Sequence, residues 1–434
     1  MNPTSPFQTV SLIGLGYIGL PTAAVLASRG VRVIGVDVNT HAVETINSGG
    51  VHIVEPDLDA LVGDVVRSGL LRATTRPEPS DAFVIAVPTP FRDQHVPDLS
   101  YVEAAARSIA PVLQAGNLVI LESTSPVGAT EQLAQWLAEA RPDLTFPQQA
   151  GDAAQVHVAY CPERVLPGKV LTELVENDRV VGGLTPACAR RAAELYRVFV
   201  KGECLITNAR TAEMCKLTEN SFRDVNIAFA NELSLICDRL DINVWELVRL
   251  ANHHPRVNIL QPGPGVGGHC IAVDPWFIVH SAPEQARMIR TAREVNDGKV
   301  DYTVARAEAL IATLPNAPIA CLGLAFKANI DDFRESPALH VAEALAKRHG
   351  PLVRIVEPYT RTLPESLADT GATLIDIDTA LETCPILIVL VDHDVFKAIP
   401  LAERADTRVY DTRGIWPDQP GALADLDGRL RMAV

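Results

Sequence analysis

A glycine-rich segment near the start of the chain limits the possible folds more than any other feature. Gly14, Gly16 and Gly19 end an apolar run that begins at Val10, and helix-forming residues continue from Gly19 to about Arg29. A strand, a tight glycine turn and a helix in this order begin a βαβ unit. Because the first turn of a helix has free N–H groups and positive partial charge, the segment predicts a phosphate-binding turn.

The end of the next predicted strand, Val31–Val36, indicates which dinucleotide this turn would bind. Asp37 follows that strand, and an acid there hydrogen-bonds a ribose 2′-hydroxyl and repels a 2′-phosphate. Val38 and Asn39 come next, without an arginine for a phosphate, so NAD is favoured over NADP. The predicted cofactor residues are therefore Gly14, Gly16, Tyr17, Ile18, Gly19 and Asp37. Thr89 and Thr124 end later strands, where they either line the nicotinamide crevice or cap turns.

Strand and helix signals alternate in the first and last parts of the chain, whereas the middle is helical. From Thr211 to about Leu240 there is no Pro and no Gly, which predicts a helix about 45 Å long. A second helical region runs roughly from Ala282 to Leu314. The pattern predicts an α/β fold with two Rossmann-like doubly wound domains, joined by the long central helix and a helical dimerisation domain. The expected domains are residues 1–205, 206–314 and 315–434.

The bulk composition excludes several classes of protein. The net charge is −15 and no long basic tract occurs, which argues against binding to nucleic acid or anionic membranes. No apolar run is long enough to span a membrane, and the N-terminus has no secretory signal. The eight cysteines lack metal-ligand spacing, so we expect free thiols, no metal and a cytoplasmic location.

The segment around Cys270 carries the densest chemical signal. Gly267, Gly268 and His269 precede the cysteine, after a Gly- and Pro-rich stretch at 261–266 that predicts a rigid loop close to a ligand. Asp274 comes four residues later, so one helical turn would place it beneath the thiol. An unpaired cysteine is usually a small core residue, but the glycines and the acid favour a reactive thiolate here.

Two other segments supply possible catalytic partners. Lys216, Asn220 and Arg223 fall on one face of the long helix, which is typical either of a solvated face or of a site for an anionic ligand. Glu163, after the strand that ends at Tyr160, could deprotonate a water molecule or cap a helix.

A dinucleotide site together with a thiol indicates a particular type of oxidation. A single alcohol oxidation needs only a base and a hydride acceptor, whereas a thiol is needed when the aldehyde is oxidised again. The thiolate adds to the aldehyde, and loss of a second hydride leaves a thioester that water cleaves to an acid. A lysine ammonium and an asparagine amide can stabilise the oxyanion. The residues therefore favour a four-electron oxidation that uses two NAD per turnover.

Five motifs in this order resemble the UDP-glucose/GDP-mannose dehydrogenase family. They are Gly14–Gly19, Cys161-Pro162-Glu163-Arg164, the Lys216–Asn220 helix, Gly267–Cys270 with Asp274, and Gly323–Lys327 with Arg334-Glu335-Ser336. The resemblance extends from about Val10 to Trp416. It implies an NAD-binding domain, a central helical dimerisation domain and a UDP-binding domain.

The resemblance also implies roles for individual residues. Cys270 would be the nucleophile, Lys216 the acid/base and oxyanion-stabilising residue with Asn220 beside it, Asp274 an assistant near the thiol, and Glu163 the residue for thioester hydrolysis. Arg334 would reach the NAD of the neighbouring site, and Arg256 would cross a dimer interface. The predicted residues for the sugar nucleotide are Arg164, Val165, Lys216, Asn220, Arg223, His254, Arg256, Gly267, Phe326, Lys327 and Arg413.

One departure from the family pattern bears on the substrate. Where UDP-glucose enzymes have a second glutamate after the Pro-Glu pair, this chain has Pro167. The Arg-Val-Leu-Pro form resembles family members that act on N-acetylated sugars, most closely on UDP-N-acetyl-D-mannosamine. The expected product is UDP-N-acetyl-D-mannosaminuronate, for bacterial surface polysaccharide.

Several alternatives stay open from the sequence. UDP-N-acetylglucosamine or UDP-glucose could be the substrate instead. A two-electron dehydrogenase of the hydroxyacid type would share the N-terminal fold and a Lys-Asn pair on a long helix, and a non-catalytic NAD-binding protein would share the cofactor motif.

Overall fold

The structure is a computed structural model that describes residues 6–92, 95–166, 168–268, 270–400 and 407–416. The chain divides into two compact units, one of residues 1–219 with 280–283 and the other of residues 220–279 with 284–434. Each unit contains a mainly parallel sheet flanked by helices. The predicted fold class, two Rossmann-like sheets with a long helix between them in the sequence, is confirmed.

An eight-stranded sheet forms the centre of the first unit. Its order is β10-β9-β8-β7-β4-β1-β2-β3, and every described pair is parallel except β8 with β9. A short antiparallel hairpin, β5 and β6, lies outside this sheet. The strands are β1 (Thr9–Ile13), β2 (Arg32–Val36), β3 (Leu71–Thr74), β4 (Ala82–Ile85), β5 (Phe91–Arg92), β6 (Val96–Pro97), β7 (Leu118–Leu121), β8 (His157–Tyr160), β9 (Arg179–Gly183) and β10 (Cys204–Asn208).

Helices cover both faces of this sheet, which is why its central strands are continuous apolar runs. Leu12 packs into the core on one face together with Leu20 of the first helix, whereas Ile13 packs on the other face with Leu133. The helices are α1 (Gly19–Ser28), α2 (Thr40–Asn47), α3 (Leu58–Arg67), α4 (Ser100–Ile109), α5 (Ala129–Ala140), α6 (Pro147–Ala150), α7 (Val170–Glu176) and α8 (Pro186–Tyr196).

The predicted long helix is α9 (Ala209–Leu240), whose 32 residues cross the boundary between the two units. A five-stranded parallel sheet of order β13-β12-β11-β14-β15 forms the centre of the second unit. Its strands are β11 (Ile319–Leu322), β12 (Val353–Val356), β13 (Thr373–Leu374), β14 (Ile386–Val389) and β15 (Arg408–Asp411). The remaining helices are α10 (Val244–Ala251), α11 (Asp274–Ser281), α12 (Arg287–Ile311), α13 (Pro337–His349), α14 (Glu365–Ala368), α15 (Ile377–Thr383) and α16 (Asp394–Lys397).

The structure adds strands that the sequence patterns do not indicate, and one of them changes the character of the first sheet. β9 runs antiparallel to β8, so the first sheet is mixed at this position. Two of its five residues are glycines, which hides the apolar pattern of a strand. Both are required by packing: an added Cβ would lie 2.6 Å from the carbonyl oxygen of Asn208 at Gly182, and 2.3 Å from that of Thr185 at Gly183.

Two kinds of feature are absent from the described residues. None of the helices in those ranges combines the length and apolarity needed to cross a membrane. No group of three or more His, Cys, Asp or Glu side chains there is arranged to hold a metal ion.

Candidate active site

The predicted residues of the first unit lie along one edge of its sheet. Strands β8, β7, β4, β1 and β2 are parallel neighbours in that order, so their carboxyl ends meet at one edge. The chain leaves β1 toward β2 on one side, whereas β4 lies on the other side, and ligands of open α/β sheets bind at such a switch point. The residues that follow these five strands are, in order, Glu163, Thr124, Thr89, the Gly14–Gly19 turn and Asp37.

The three glycines of the turn have different physical roles. Gly14 has a φ of +92°, and an added Cβ would lie 2.6 Å from the carbonyl oxygen of Ala86. A Cβ at Gly19 would lie 1.8 Å from the carbonyl oxygen of Gly14, so both positions require glycine for the fold. A Cβ at Gly16 would meet nothing within 4 Å. The backbone at Gly16 is therefore open, which fits the close approach of a pyrophosphate.

Asp37 and the two threonines are fixed at the same edge. The carboxylate of Asp37 accepts a hydrogen bond from the backbone N–H of Leu15 at 2.9 Å, which ties the end of β2 to the glycine turn. Asp37 remains partly exposed, as a ribose ligand would require. The hydroxyl of Thr89 donates to the carbonyl oxygen of Thr124 at 2.5 Å, so the structure brings these two predicted residues together. Of the other turn residues, Tyr17 is 44% exposed and Ile18 directly precedes α1.

Glu163 lies in a buried charged cluster that the sequence did not reveal. Its Oε1 is 3.9 Å from the guanidinium of Arg179, and its Oε2 accepts the N–H of Val165 at 2.6 Å. Arg179 is also 3.7 Å from Glu122, which accepts a hydrogen bond from Tyr196. Burial raises the pKa of Glu122 to about 7, although the charge of Arg179 opposes that shift. An arginine at the start of an otherwise apolar segment, 179–183, was the signal that could have identified the cluster.

Arg164 connects the Glu163 segment to the long helix. Its guanidinium forms a 2.7 Å ion pair with Glu219 of α9. Lys216, which is half-buried, lies three residues before Glu219 on the same helix. The structure thus places Arg164 against the helical turn that carries the predicted acid/base residue.

In the second unit, three predicted catalytic residues form one hydrogen-bonded group. The amide of Asn220 donates to Oδ2 of Asp274 at 2.5 Å, and the Asp274 side chain is buried. The backbone N–H of Asp274 donates to the carbonyl oxygen of Cys270 at 2.9 Å, which is the predicted helical turn. Cys270 is exposed, whereas the other seven cysteines are buried or half-buried and none of the eight forms a disulfide. Arg223, one helical turn beyond Asn220, is exposed.

The loop before Cys270 packs its backbone against predicted substrate residues. An added Cβ at Gly263 would lie 2.3 Å from a guanidinium nitrogen of Arg413, which is held by a 2.8 Å ion pair with Asp392. An added Cβ at Gly267 would lie 2.8 Å from the Cβ of Phe326. Glycine is needed for the fold at Gly267, where the added atom would overlap backbone, whereas at Gly263 only the end of the Arg413 side chain would have to move.

Four other predicted residues of this unit have exposed side chains. The carbonyl oxygen of Arg334 accepts the N–H of Gly268 at 3.3 Å, while its exposed side chain binds Asp332. Lys327 is exposed next to Phe326. His254 and Arg256 are exposed after α10, and the N–H of Arg256 donates to the His254 ring at 3.3 Å. Pro167 and His269 lie outside the described residues.

Three family models match the chain in sequence order. They describe the NAD binding domain, the central domain and the UDP binding domain of the UDP-glucose/GDP-mannose dehydrogenase family, and they match residues 8–200, 210–298 and 320–418. The chain belongs to this family. The predicted family and the predicted cofactor, NAD, are confirmed, and so is the prediction of an NAD-dependent dehydrogenase.

Individual members of the family resemble the chain over nearly its whole length. A UDP-N-acetyl-D-mannosamine dehydrogenase from Yersinia pestis is 64% identical over 418 residues, which cover 94% of this chain and 99% of that protein. An NDP-N-acetyl-D-galactosaminuronic acid dehydrogenase from Ralstonia nicotianae is 62% identical over 410 residues, covering 94% and 96%. Among solved structures, a UDP-D-ManNAc dehydrogenase from Pyrococcus horikoshii superposes with a TM-score of 0.85 at 40% identity, covering 95% and 97%.

The open backbone at Gly16 leads to a prediction about this family member's NAD site. Gly16→Ala should weaken NAD binding about tenfold and leave the thermal unfolding midpoint unchanged, because the methyl group would meet the pyrophosphate but no protein atom. Gly19→Ala should instead lower the midpoint, since its methyl group overlaps the Gly14 carbonyl. Calorimetric titration with NAD and thermal unfolding of both variants check this. Equal losses of stability in the two variants would contradict it.

A second prediction concerns the contact between Gly263 and Arg413. Gly263→Ala should weaken UDP binding about tenfold, because the new methyl group displaces a guanidinium that we expect to contact the nucleotide. The side chain of Arg413 can move, so the fold should survive. Gly298→Ala in α12 is the matched control, since its methyl group would meet nothing within 4 Å. Titration with UDP measures the effect, and unchanged affinity in Gly263→Ala would remove Arg413 from the site.

Proposed function

We propose that this protein is a UDP-N-acetyl-D-mannosamine 6-dehydrogenase that oxidises the C6 alcohol of the sugar to a carboxylate through a thioester on Cys270. The observation that carries the proposal is the hydrogen-bonded group of Asn220, Asp274 and Cys270 at the start of α11. It presents an exposed thiol one turn from a buried acid, in a chain that also has an NAD-binding domain.

The proposed chemistry assigns a task to each side chain. NAD, when bound, supplies the acceptor for each of the two hydrides. Lys216 accepts the proton of the C6 hydroxyl as the first hydride leaves, and the Cys270 thiolate then adds to the aldehyde carbon. Loss of the second hydride from this adduct leaves a thioester. Water held by Glu163 cleaves it to the carboxylic acid and the thiol.

Asn220 has a specific part in this proposal. An asparagine amide nitrogen has two N–H donors, and Asp274 accepts one of them. The second N–H can stabilise the oxyanion of the thiol adduct, together with the Lys216 ammonium one helical turn away. The Asp274 carboxylate therefore fixes the direction in which the amide donates.

The identity of the sugar rests on the relatives and on the segment after Glu163. Proteins more than 60% identical to this chain are named for N-acetyl-D-mannosamine or for N-acetyl-D-galactosaminuronic acid, and both names contain an N-acetylated sugar. The sequence Arg164-Val165-Leu166 follows Glu163, and the residue that argued against glucose, Pro167, lies outside the described residues. We propose the mannosamine derivative as the preferred substrate, with the uronate used for bacterial surface polysaccharide.

Counting NADH released per sugar tests the reaction and the substrate together. We expect two NADH per UDP-N-acetyl-D-mannosamine, and kcat/KM at least about tenfold lower for the UDP derivatives of N-acetylglucosamine, N-acetylgalactosamine and glucose. Cys270→Ser should yield no acid, because a serine hydroxyl is a much weaker nucleophile than a thiolate. Cys384→Ser, at a buried thiol outside the proposed site, should keep both equivalents.

The possible outcomes separate the competing functions. One NADH per sugar would end the four-electron proposal and favour a dehydrogenase of the hydroxyacid type. NAD binding without turnover of any nucleotide sugar would favour a non-catalytic protein. Two equivalents with another sugar would keep the mechanism and change the proposed substrate.

An apolar stripe on α9 supports the proposal that two copies of the chain form a dimer. Phe222, Phe229 and Ile236 are spaced seven residues apart and are 71%, 54% and 45% exposed. Burying a large apolar side chain contributes about 1.5–3 kcal/mol, so covering this stripe would stabilise an assembly. A second copy can cover it by placing the same helix face against it, as in a two-fold symmetric interface. In this dimer Arg256 would reach the partner's sugar site and Arg334 the neighbouring NAD.

A charge in the middle of the stripe tests the dimer. Phe229→Asp should convert a dimer into monomers in size-exclusion chromatography with light scattering, because the carboxylate would be desolvated at the interface. Met288→Asp, at a side chain 72% exposed on α12, is the matched control and should remain dimeric. A wild-type chain that elutes as a monomer at micromolar concentration would refute the proposal.

Two further parts of the proposal follow the family organisation. We propose domains at residues 1–205, 206–314 and 315–434, which is supported by the three family models at 8–200, 210–298 and 320–418. We also propose that the enzyme acts in the cytoplasm, because its eight cysteines form no disulfide and a reducing compartment keeps thiols free.

A further inference from the structure

The contact between α9 and α12 contains polar side chains where apolar ones would be expected. Asp224 and Asn231 of α9 and Arg293 and Asn296 of α12 are all at most 2% exposed. Arg293 donates to Oδ1 of Asp224 at 2.7 Å, and the amide of Asn296 donates to the same oxygen at 2.8 Å. We call these four residues the polar ladder.

The ladder continues from the helix pair to the loop before Cys270. The amide nitrogen of Asn231 donates to Oδ1 of Asn296 at 2.8 Å. Oδ1 of Asn231 accepts the backbone N–H of Gly263 at 2.9 Å. Gly263 is buried and lies seven residues before Cys270 in the sequence.

The directions of the hydrogen bonds in the ladder follow from the groups at its two ends, the carboxyl of Asp224 and the N–H of Gly263. The ionised carboxyl of Asp224 can only accept hydrogen bonds, so Asn296 must turn its NH2 toward it and its oxygen toward Asn231. Asn231 must then turn its own NH2 toward Asn296, which leaves its oxygen for Gly263. An asparagine therefore fits position 231, because the position needs a donor on one side and an acceptor on the other.

The loop is also held closely at its next glycines. An added Cβ at Gly265 would lie 3.2 Å from the carbonyl oxygen of Asn296 and 3.0 Å from Pro337. At Gly267 it would lie 2.5 Å from the carbonyl oxygen of Glu335. The loop backbone is therefore in close contact with its neighbours at Gly265 and Gly267, and the hydrogen bond from Asn231 fixes it at Gly263.

We propose that Asn231 is a positioning residue for Cys270, because it anchors the Gly263 end of the loop to the polar ladder. Asn231 contacts neither of the proposed reacting groups and acts through the backbone of the loop. The inference rests on the proposed function in one respect, namely that Cys270 is the nucleophile. A misplacement of about 1 Å at a nucleophile can reduce the rate about 100-fold, so the anchor has a measurable effect.

Two substitutions of Asn231 test its positioning role. Asn231→Leu removes both hydrogen bonds at nearly constant volume. Asn231→Asp retains the oxygen that accepts the N–H of Gly263 but replaces the N–H donor to Asn296 with a second carboxylate oxygen. Asn226→Asp is the matched control, because Asn226 lies on the same helix and donates only to the Phe222 carbonyl of that helix among its described contacts. For each variant the readouts are kcat, the KM for NAD, the urea midpoint, and the rate at which iodoacetamide alkylates Cys270 without substrates. Peptide mapping identifies the alkylated thiol.

We expect Asn231→Leu to lower kcat about 10- to 100-fold, with the KM for NAD within about twofold of the wild-type value. The alkylation rate of Cys270, measured well below the urea midpoint, should change by about threefold or more, and the control should match the wild type. Asn231→Asp should lie between the two, and it replaces Asn231→Leu as the decisive variant if the latter does not fold.

Two results would overturn the proposal. The first is a wild-type alkylation rate and kcat in both Asn231 variants. The second is a lowered urea midpoint with an unchanged alkylation rate, which would show that Asn231 serves stability alone. The alkylation assay uses no nucleotide sugar, so it also separates the two hypotheses: altered alkylation in an enzyme that oxidises no sugar would refute the proposed function and retain the positioning role.

Discussion

The ion pair between Asp224 and Arg293 influences how the buried polar side chains between α9 and α12 are oriented. Both side chains lie between α9 and α12, at 0% and 2% exposure, and their closest atoms are 2.7 Å apart. Loss of Arg293 would leave the buried charge of Asp224 without its ion-pair partner, at a cost of about 3–5 kcal/mol, whereas Arg293 also pairs with Asp297. An apolar contact would hold the helices together equally well, but it would give no direction to the amides beside it. The carboxylate of Asp224 accepts the amide of Asn296, which orients Asn296 toward Asn231, and Asn231 in turn accepts the N–H of Gly263. A buried charge is thus connected to the loop by directed hydrogen bonds, which apolar packing does not provide.

In both sheets an acidic side chain holds a glycine turn, and the exposure of this acid differs between the two sheets. In the first sheet Asp37 accepts the N–H of Leu15 at 2.9 Å, and in the second Glu357 accepts the N–H of Leu324 at 2.7 Å. In both cases an acid after the second strand of its sheet holds the glycine turn after the first. Glu357 is only 4% exposed and also lies 3.3 Å from the ring of His393. Burial opposes its ionisation, but the hydrogen bonds from His393 and Leu324 outweigh that effect and lower the pKa of Glu357. The oxygens of Glu357 are therefore enclosed by protein, whereas Asp37, whose oxygens accept the N–H groups of Leu15 and Asn39, is partly exposed to a ligand.

The features that the sequence predicted correctly depend on local geometry. Strands such as β1, β4 and β7 were visible because both of their faces are buried, which makes them continuous apolar runs. β3 and β10 lie at the edges of the first sheet. β3 alternates exposed with buried residues, four of the five residues of β10 are exposed or half-buried, and β9 contains two glycines, so none of these strands has that pattern. The same distinction holds at the site: the turn from Cys270 to Asp274 follows from a spacing of four residues. The contacts of Glu163 with Arg179 and of Asn231 with Gly263 join residues 16 and 32 positions apart, and only the fold brings them together.

Several contacts hold the start of the segment that we expect to select the sugar. Arg164 forms an ion pair with Glu219, its carbonyl oxygen accepts the amide of Asn177 at 3.1 Å, and the next N–H is bound by Glu163 at 2.6 Å. We expect a segment held at three points to discriminate sugars by shape and by buried polar groups that the wrong epimer leaves unpaired. Such polar groups give larger discrimination than an apolar fit. Relatives that share more than 60% identity with this chain are nevertheless named for different N-acetylated sugars. The same fold therefore occurs in relatives whose names contain different N-acetylated sugars, and we expect a few polar side chains to decide which epimer is accommodated.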